Sequence, residues 1–114
     1  MVTFYRDVIG LEIMAGRYPP HIVFFRIAEG FGGHTAVLAL FEENGSAAGA
    51  GSSLHHLALT LPFAQQDAVI DWYEKIGQPY QVETFGWVGW RGIFTSDPDG
   101  NRVELVAYHR SLLA

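Results

Sequence analysis

The stretch Thr95-Ser96-Asp97-Pro98-Asp99-Gly100-Asn101-Arg102-Val103-Glu104-Leu105 decides how this chain reads. Asp-Pro-Asp-Gly is a tight turn: Pro98 fixes φ at one corner and Gly100 supplies a positive φ at another. Residues 102–108 then alternate as a strand does, so Glu104 lies just past a turn with Val103 and Leu105 on the opposite face. A carboxylate held there by stiff backbone suits a metal ligand or a general base. The alternative is an ordinary solvated strand residue.

Working outward, residues 53–61 form a second alternating run, Ser-Leu-His-His-Leu-Ala-Leu-Thr-Leu. Leu57, Leu59 and Leu61 share one face, which suits a core under a helix. His56, Ala58 and Thr60 share the other, small and polar, which suits a cavity wall. A helix is expected next, with Val69, Trp72, Tyr73 and Ile76 at i, i+3, i+4, i+7 and Gly77 as its stop. The aromatic runs 80–85 and 87–94 read as strands, so the order is strand, helix, strand, strand, strand.

The first half nearly repeats this order. Phe4-Tyr5-Arg6-Asp7-Val8-Ile9-Gly10 parallels Trp72-Tyr73-Glu74-Lys75-Ile76-Gly77 with a one-residue slip. Strands are expected at 11–15, 21–27 and 35–41. His56 precedes Trp72 by sixteen positions, and the same offset from Phe4 falls before Met1. The first repeat is thus expected to lack its opening strand, and Met1 reads as an internal methionine of a longer ancestral frame.

Two tandem βαβββ modules, an opening Phe-Tyr-x-x-x-x-Gly-Leu, the His-His-Leu-Ala-Leu strand and Asp-Pro-Asp-Gly-Asn-x-x-Glu-Leu together resemble the vicinal oxygen chelate superfamily. That superfamily includes glyoxalase I, extradiol dioxygenases, fosfomycin-resistance enzymes and bleomycin-resistance proteins. The resemblance spans nearly the whole chain. It implies an α+β fold whose tandem modules form a curved, half-barrel mixed sheet, with the first module missing its first strand. The expected organisation is one domain over residues 1–114: module one at 1–43, a Gly/Ser/Ala-rich linker at 44–53 and module two at 54–114.

The resemblance also implies chemistry. His56 is the expected imidazole ligand and Glu104 the expected carboxylate ligand of a divalent metal (iron, manganese, nickel or zinc). Such a metal leaves open positions for two adjacent substrate oxygens. The family's first-module His has no position in this chain, so the metal is expected to be either incompletely ligated or absent. The region matching a further first-module ligand, Val37-Leu38-Ala39-Leu40, is apolar in every register. A four-ligand glyoxalase I site is therefore not expected. Phe94 stands where relatives often carry a Tyr, which argues against a phenol acid there.

The remaining histidines read as surface residues. His55 shares a face with Leu57, His34 follows a Gly-rich loop, His21 follows Pro19-Pro20, and His109 is near the C-terminus. Trp87, Trp90, Phe94 and Arg91 are the candidates for a ligand-binding wall. Arg91 would meet an anionic group, the alternative being an exposed strand arginine. Strand parity separates the two indoles unless the nearby glycines permit a bend.

Composition narrows the partners. A net charge of −5 without a basic run speaks against nucleic acid. The absence of cysteine removes disulfides and thiolate metal sites and suits a cytoplasmic location. No apolar run reaches the length of a membrane span. A sheet short of one strand exposes backbone edges, so a homodimer, with or without exchanged elements, is expected. Three functions stay open: a metal-dependent dioxygenase or lyase acting on a small molecule with adjacent oxygens, a metal-free small-molecule binding or sequestering protein, and an inactive remnant of the fold.

Overall fold

The computed structural model describes residues 1–16, 19–30, 32–42 and 54–114, so the expected linker lies outside the described residues. The chain divides into two compact units, Met1–Ala48 and Gly49–Ala114.

The first unit opens with a short, wide-turned helix, Phe4–Ile9. It ends where Gly10 takes φ +90°, a conformation open to glycine, and the N–H groups of Gly10 and Leu11 both donate to the Tyr5 carbonyl. Strands β1 (Glu12–Ile13), β2 (Ile22–Ala28) and β3 (Ala36–Phe41) follow as an antiparallel sheet in the order β1-β2-β3. Tyr5 and Phe25 are buried together with ring centroids 6.2 Å apart, and Phe4 meets Tyr5 edge-on at 5.1 Å. Aromatic area of this kind is the main source of cohesion in so small a unit. Among the described residues β3 pairs with β2 alone.

The second unit is a complete βαβββ module: β4 (Leu57–Thr60), α1 (Gln66–Ile76), β5 (Gln81–Phe85), β6 (Trp90–Ser96) and β7 (Arg102–Tyr108). Its mixed sheet has the order β4-β7-β6-β5, with β4 parallel to β7 and the other pairs antiparallel. The expected α+β architecture of tandem modules, with β4 having no counterpart among the described strands of the first unit, is what the chain adopts.

Strand parity sorts the second unit's side chains. Arg91, Ile93, Thr95, Val103, Leu105 and Ala107 face α1, and all but the half-buried Arg91 are buried. Gln66, at the start of α1 and fully buried, ties the helix to the sheet. Its amide nitrogen donates to the carbonyls of Arg91 (2.7 Å) and Leu105 (3.3 Å), and its oxygen accepts from Arg91 Nε (2.6 Å). At the other end α1 stops at Gly77, φ +72°, as its sequence predicts. There Gln78 Nε2 donates to Thr95 Oγ1 at 2.6 Å.

The Asp97 turn is built as expected and extended by its own side chain. Asp97 is buried; its Oδ1 accepts from the Asp99 and Asn101 N–H groups, its Oδ2 from Asn101 Nδ2, and Gly100 sits at φ +84°. Elsewhere the strands are shorter than the apolar runs suggest. β4 starts at Leu57 because its pairing with β7 runs only from Val103 to Val106. β6 starts at Trp90 because residues 86–89 close a tight turn in which the Val88 and Gly89 N–H groups both donate to the Phe85 carbonyl.

Candidate functional site

The face of the second sheet away from α1 carries the candidate site. His56 stands one residue before β4, and Ala58 is paired with Glu104 across the β4–β7 ladder. His56 Nε2 thereby comes within 3.1 Å of Glu104 Oε1. Glu104 is buried, with 5% of its surface exposed, and His56 is half-buried. His55 is exposed, yet its Nδ1 lies 2.7 Å from Nδ1 of His56, so one ring donates to the other.

Gly92 makes room for this arrangement. A Cβ at that position would collide with Glu104 Oε2 and lie 2.9 Å from the Phe94 ring. Phe94, opposite Glu104 in the β6–β7 register, meets the His56 ring edge-on at 5.9 Å. Arg102, on the same face of β7 as Glu104, lays its guanidinium over the Phe94 ring at 4.5 Å. A cavity of about 640 Å³ opens beside this group, walled by Gln81, Glu83, Phe94, Ser96 and Arg102 on this face and by the 78–80 segment at its end.

The other anticipated ligand-wall residues are differently placed. Trp90 is on the same face at the start of β6 and about half exposed. Trp87 lies in the 86–89 turn and is 81% exposed, which resolves the parity question: it belongs to no strand. Arg91 is on the α1 face. There its Nε is bonded to Gln66, its guanidinium lies 4.6 Å over the Phe63 ring, and one terminal nitrogen is 3.6 Å from Asp67. Arg91 and Trp87 thus stand apart from the His56–Glu104 group. His109 stacks on Phe63 at 4.5 Å and bonds Ser111, while His21 and His34 are exposed.

Arg102, Gly92 and the cavity residues Gln81 and Ser96 were not singled out by sequence. Parity alone could have found Arg102, since it is two positions from Glu104. Gly92 needed the β6–β7 register.

As a donor set, one imidazole nitrogen and one carboxylate oxygen on a common face fit a divalent transition metal. They amount to half of a usual set: among the described residues no cluster of three or more His, Asp or Glu side chains forms. The repeat explains part of this. Phe25 pairs with Leu38 as Ile93 pairs with Leu105, and these pairs align Val37 with Glu104. The first unit therefore presents an apolar side chain where the second presents a carboxylate.

The comparisons with known proteins agree with this fold. The family model of the Glyoxalase/Bleomycin resistance protein/Dioxygenase superfamily matches residues 1–105. Among solved structures, the chain resembles a lactoylglutathione lyase from Agrobacterium tumefaciens at 23% identity and TM-score 0.62, over 92% of this chain and 81% of that one. It resembles a glyoxalase/dioxygenase from Nostoc punctiforme at 18% identity and TM-score 0.70, over 95% and 81%. It also resembles a variant of the fosfomycin resistance protein FosX from Listeria monocytogenes, in complex with Mn(II) and 1S,2S-dihydroxypropylphosphonic acid, at 17% identity and TM-score 0.67, over 97% and 81%. No curated protein matches. At these identities the solved structures speak to the fold, and the family match to membership: the chain belongs to the Glyoxalase/Bleomycin resistance protein/Dioxygenase superfamily.

Proposed function

We propose that the chain is a metal-dependent enzyme of the dioxygenase, lyase or transferase kind, acting on a small molecule with adjacent oxygens, with His56 and Glu104 holding a divalent ion. The observation that carries this reading is the 3.1 Å approach of His56 Nε2 to Glu104 Oε1, with Gly92 leaving space against the buried carboxylate. Burying a carboxylate is costly without a charged or hydrogen-bonding partner, and a half-buried imidazole alone compensates it incompletely.

A divalent ion bound there supplies Lewis acidity to two neighbouring substrate oxygens. The chain's own residues do the rest. With His56 Nε2 directed at the ligand side, its proton resides on Nδ1, and His55 Nδ1 accepts it at 2.7 Å, fixing the tautomer and the ring. Glu104 neutralises charge from the β7 side. Phe94 and the half-exposed Trp90 offer apolar area to the body of the ligand.

The test is Mn(II), Fe(II), Ni(II) and Zn(II) uptake by calorimetry on wild type, His56→Ala and Glu104→Gln. Micromolar uptake by the wild type, lost in both variants, supports the reading; no uptake of any of the four ions overturns it. The second reading is a metal-free binding protein. The aromatic cavity wall of Phe94 and Tyr80 favours it, and ligand binding by wild type that is indifferent to metal would select it. The absence of cysteine fits a reducing compartment such as the cytoplasm, and the single partner of β3 among the described strands supports a homodimer.

A further inference from the structure

The cavity beside the His56–Glu104 group holds one charged donor that no acid engages. Arg102 is half-buried and stacked on Phe94, and among the described residues no carboxylate lies within ion-pairing distance of its guanidinium. The other cationic side chain considered for ligand binding, Arg91, is engaged by Gln66, Phe63 and Asp67 across the sheet. Stacking fixes the guanidinium plane against the ring and leaves its in-plane N–H donors free. That is the geometry with which arginine receives a carboxylate side-on. Gln81 and Ser96 line the same cavity and add neutral polar groups, while Glu83 lines it as the one acid.

We propose that Arg102 is a specificity-determining residue: it anchors a single carboxylate on a small organic ligand whose body lies against Phe94, toward His56 and Glu104. This deepens the reading of the His56–Glu104 face as the reaction site, on which it rests for the direction the ligand points. Arg102 is on the same strand face as Glu104, two residues away, so a molecule of a few carbon atoms spans from one to the other. Glu83 and the chain's net charge of −5 set the valence. A monoanion gains the arginine; a dianion meets the acid on the far wall as well.

The probes are phenylacetate, its neutral isostere phenylacetamide and the dianion phenylmalonate. Binding is followed by ¹H–¹⁵N spectra that include the arginine Nε–H signals, on the full chain without metal and again with Mn(II). The expected result is that phenylacetate shifts the signals of Gln81, Ser96 and Arg102 Nε–H. It should bind about tenfold more tightly than phenylacetamide, as a charge-assisted pair does. That preference should weaken with added salt, collapse in Arg102→Gln and survive in part in Arg102→Lys. Phenylmalonate should bind less tightly than phenylacetate, and Glu83→Gln should narrow the gap. Equal affinity for acid and amide in the wild type, or an undiminished preference in Arg102→Gln, overturns the proposal. Should Arg102→Gln fail to fold, the acid-to-amide ratio and its salt dependence in the wild type decide alone. An acid preference without Mn(II) uptake refutes only the metal reading; Mn(II) uptake without an acid preference refutes only this one.

Discussion

An alanine at position 92 would press on Glu104 Oε2 and the Phe94 ring, both of them side-chain ends rather than backbone. Gly92→Ala is therefore expected to displace the carboxylate more than to unfold the protein. Metal affinity should fall about tenfold or more while the thermal midpoint drops only a few degrees, on the order of 1 kcal/mol. Calorimetry against a melting curve checks the split. His55 makes a complementary prediction. If its ring fixes the His56 tautomer, His55→Ala should weaken metal binding by about 10- to 100-fold without removing a ligand. Unchanged affinity would make His55 a bystander.

Tyr73 raises a different issue at the same scale. It is fully buried, its hydroxyl has no partner among the described residues, and that burial raises its pKa to about 12. The folded value lies above the ordinary 10, so the folded state keeps the proton after the unfolded chain has lost it. Stability should be intact below pH 10 and fall as the pH rises toward 12, by about 1.4 kcal/mol per unit. Tyr73→Phe should abolish this slope and leave neutral-pH stability equal or higher, since it removes an unpaired buried hydroxyl. Urea titrations at several alkaline pH values would show both effects.

Among elements, α1 and its seat on the sheet invite a direct test. The helix is amphipathic, but Trp72 and Ile76 of its predicted apolar stripe remain 40% and 39% exposed, and only Tyr73 of that stripe is buried. What the stripe does not explain, Gln66 does, by bonding two strand carbonyls and Arg91 at once. Gln66→Leu should cost about 2–4 kcal/mol, because it strands Arg91 Nε and two carbonyls in a buried place. Denaturant unfolding measures this. A loss under about 1 kcal/mol would show that the helix is held by apolar packing instead. The β4–β7 pairing matters more directly to function. It is the only parallel ladder among the described strands, and it brings the histidine of one end of the module to the glutamate of the other.

At the scale of the molecule, the two units repeat helix and strands but differ in what their last strand presents. The aligned position is Glu104 in one and Val37 in the other, so the donor set is asymmetric from the outset. β3 pairs only with β2 among the described residues, whereas its counterpart β7 is covered on both edges. Sedimentation should show a dimer at micromolar concentration; a monomeric mass would remove the basis for an exchanged or shared sheet.

Much of this was legible in the chain itself. The Asp-Pro-Asp-Gly turn, the Gly10 and Gly77 stops and the two-residue alternation around His56 and Glu104 are local physics: backbone dihedrals and strand parity act over a few residues. The face shared by His56 and Glu104 follows from parity once their strands are neighbours. That the strands are neighbours, with Ala58 opposite Glu104 in the β4–β7 ladder, does not follow from any local stretch.

Other features also depended on contacts between distant segments. The runs at 53–61 and 87–94 are longer than the strands they form, because a strand ends where its partner ends and not where its apolar residues do. Arg91 and Arg102 look alike in sequence, both on strands in aromatic-rich surroundings. Register sends one to the helix side, where Gln66 and Phe63 occupy it, and leaves the other over Phe94. The sequence by itself determined the turns, the helix stops, the module order and the parity of each strand-borne candidate, since these are set by dihedral preferences within a few residues. The tertiary structure alone decided the 3.1 Å meeting of His56 with Glu104, the need for Gly92 beneath it and the cavity at Arg102, since each depends on which strands lie side by side.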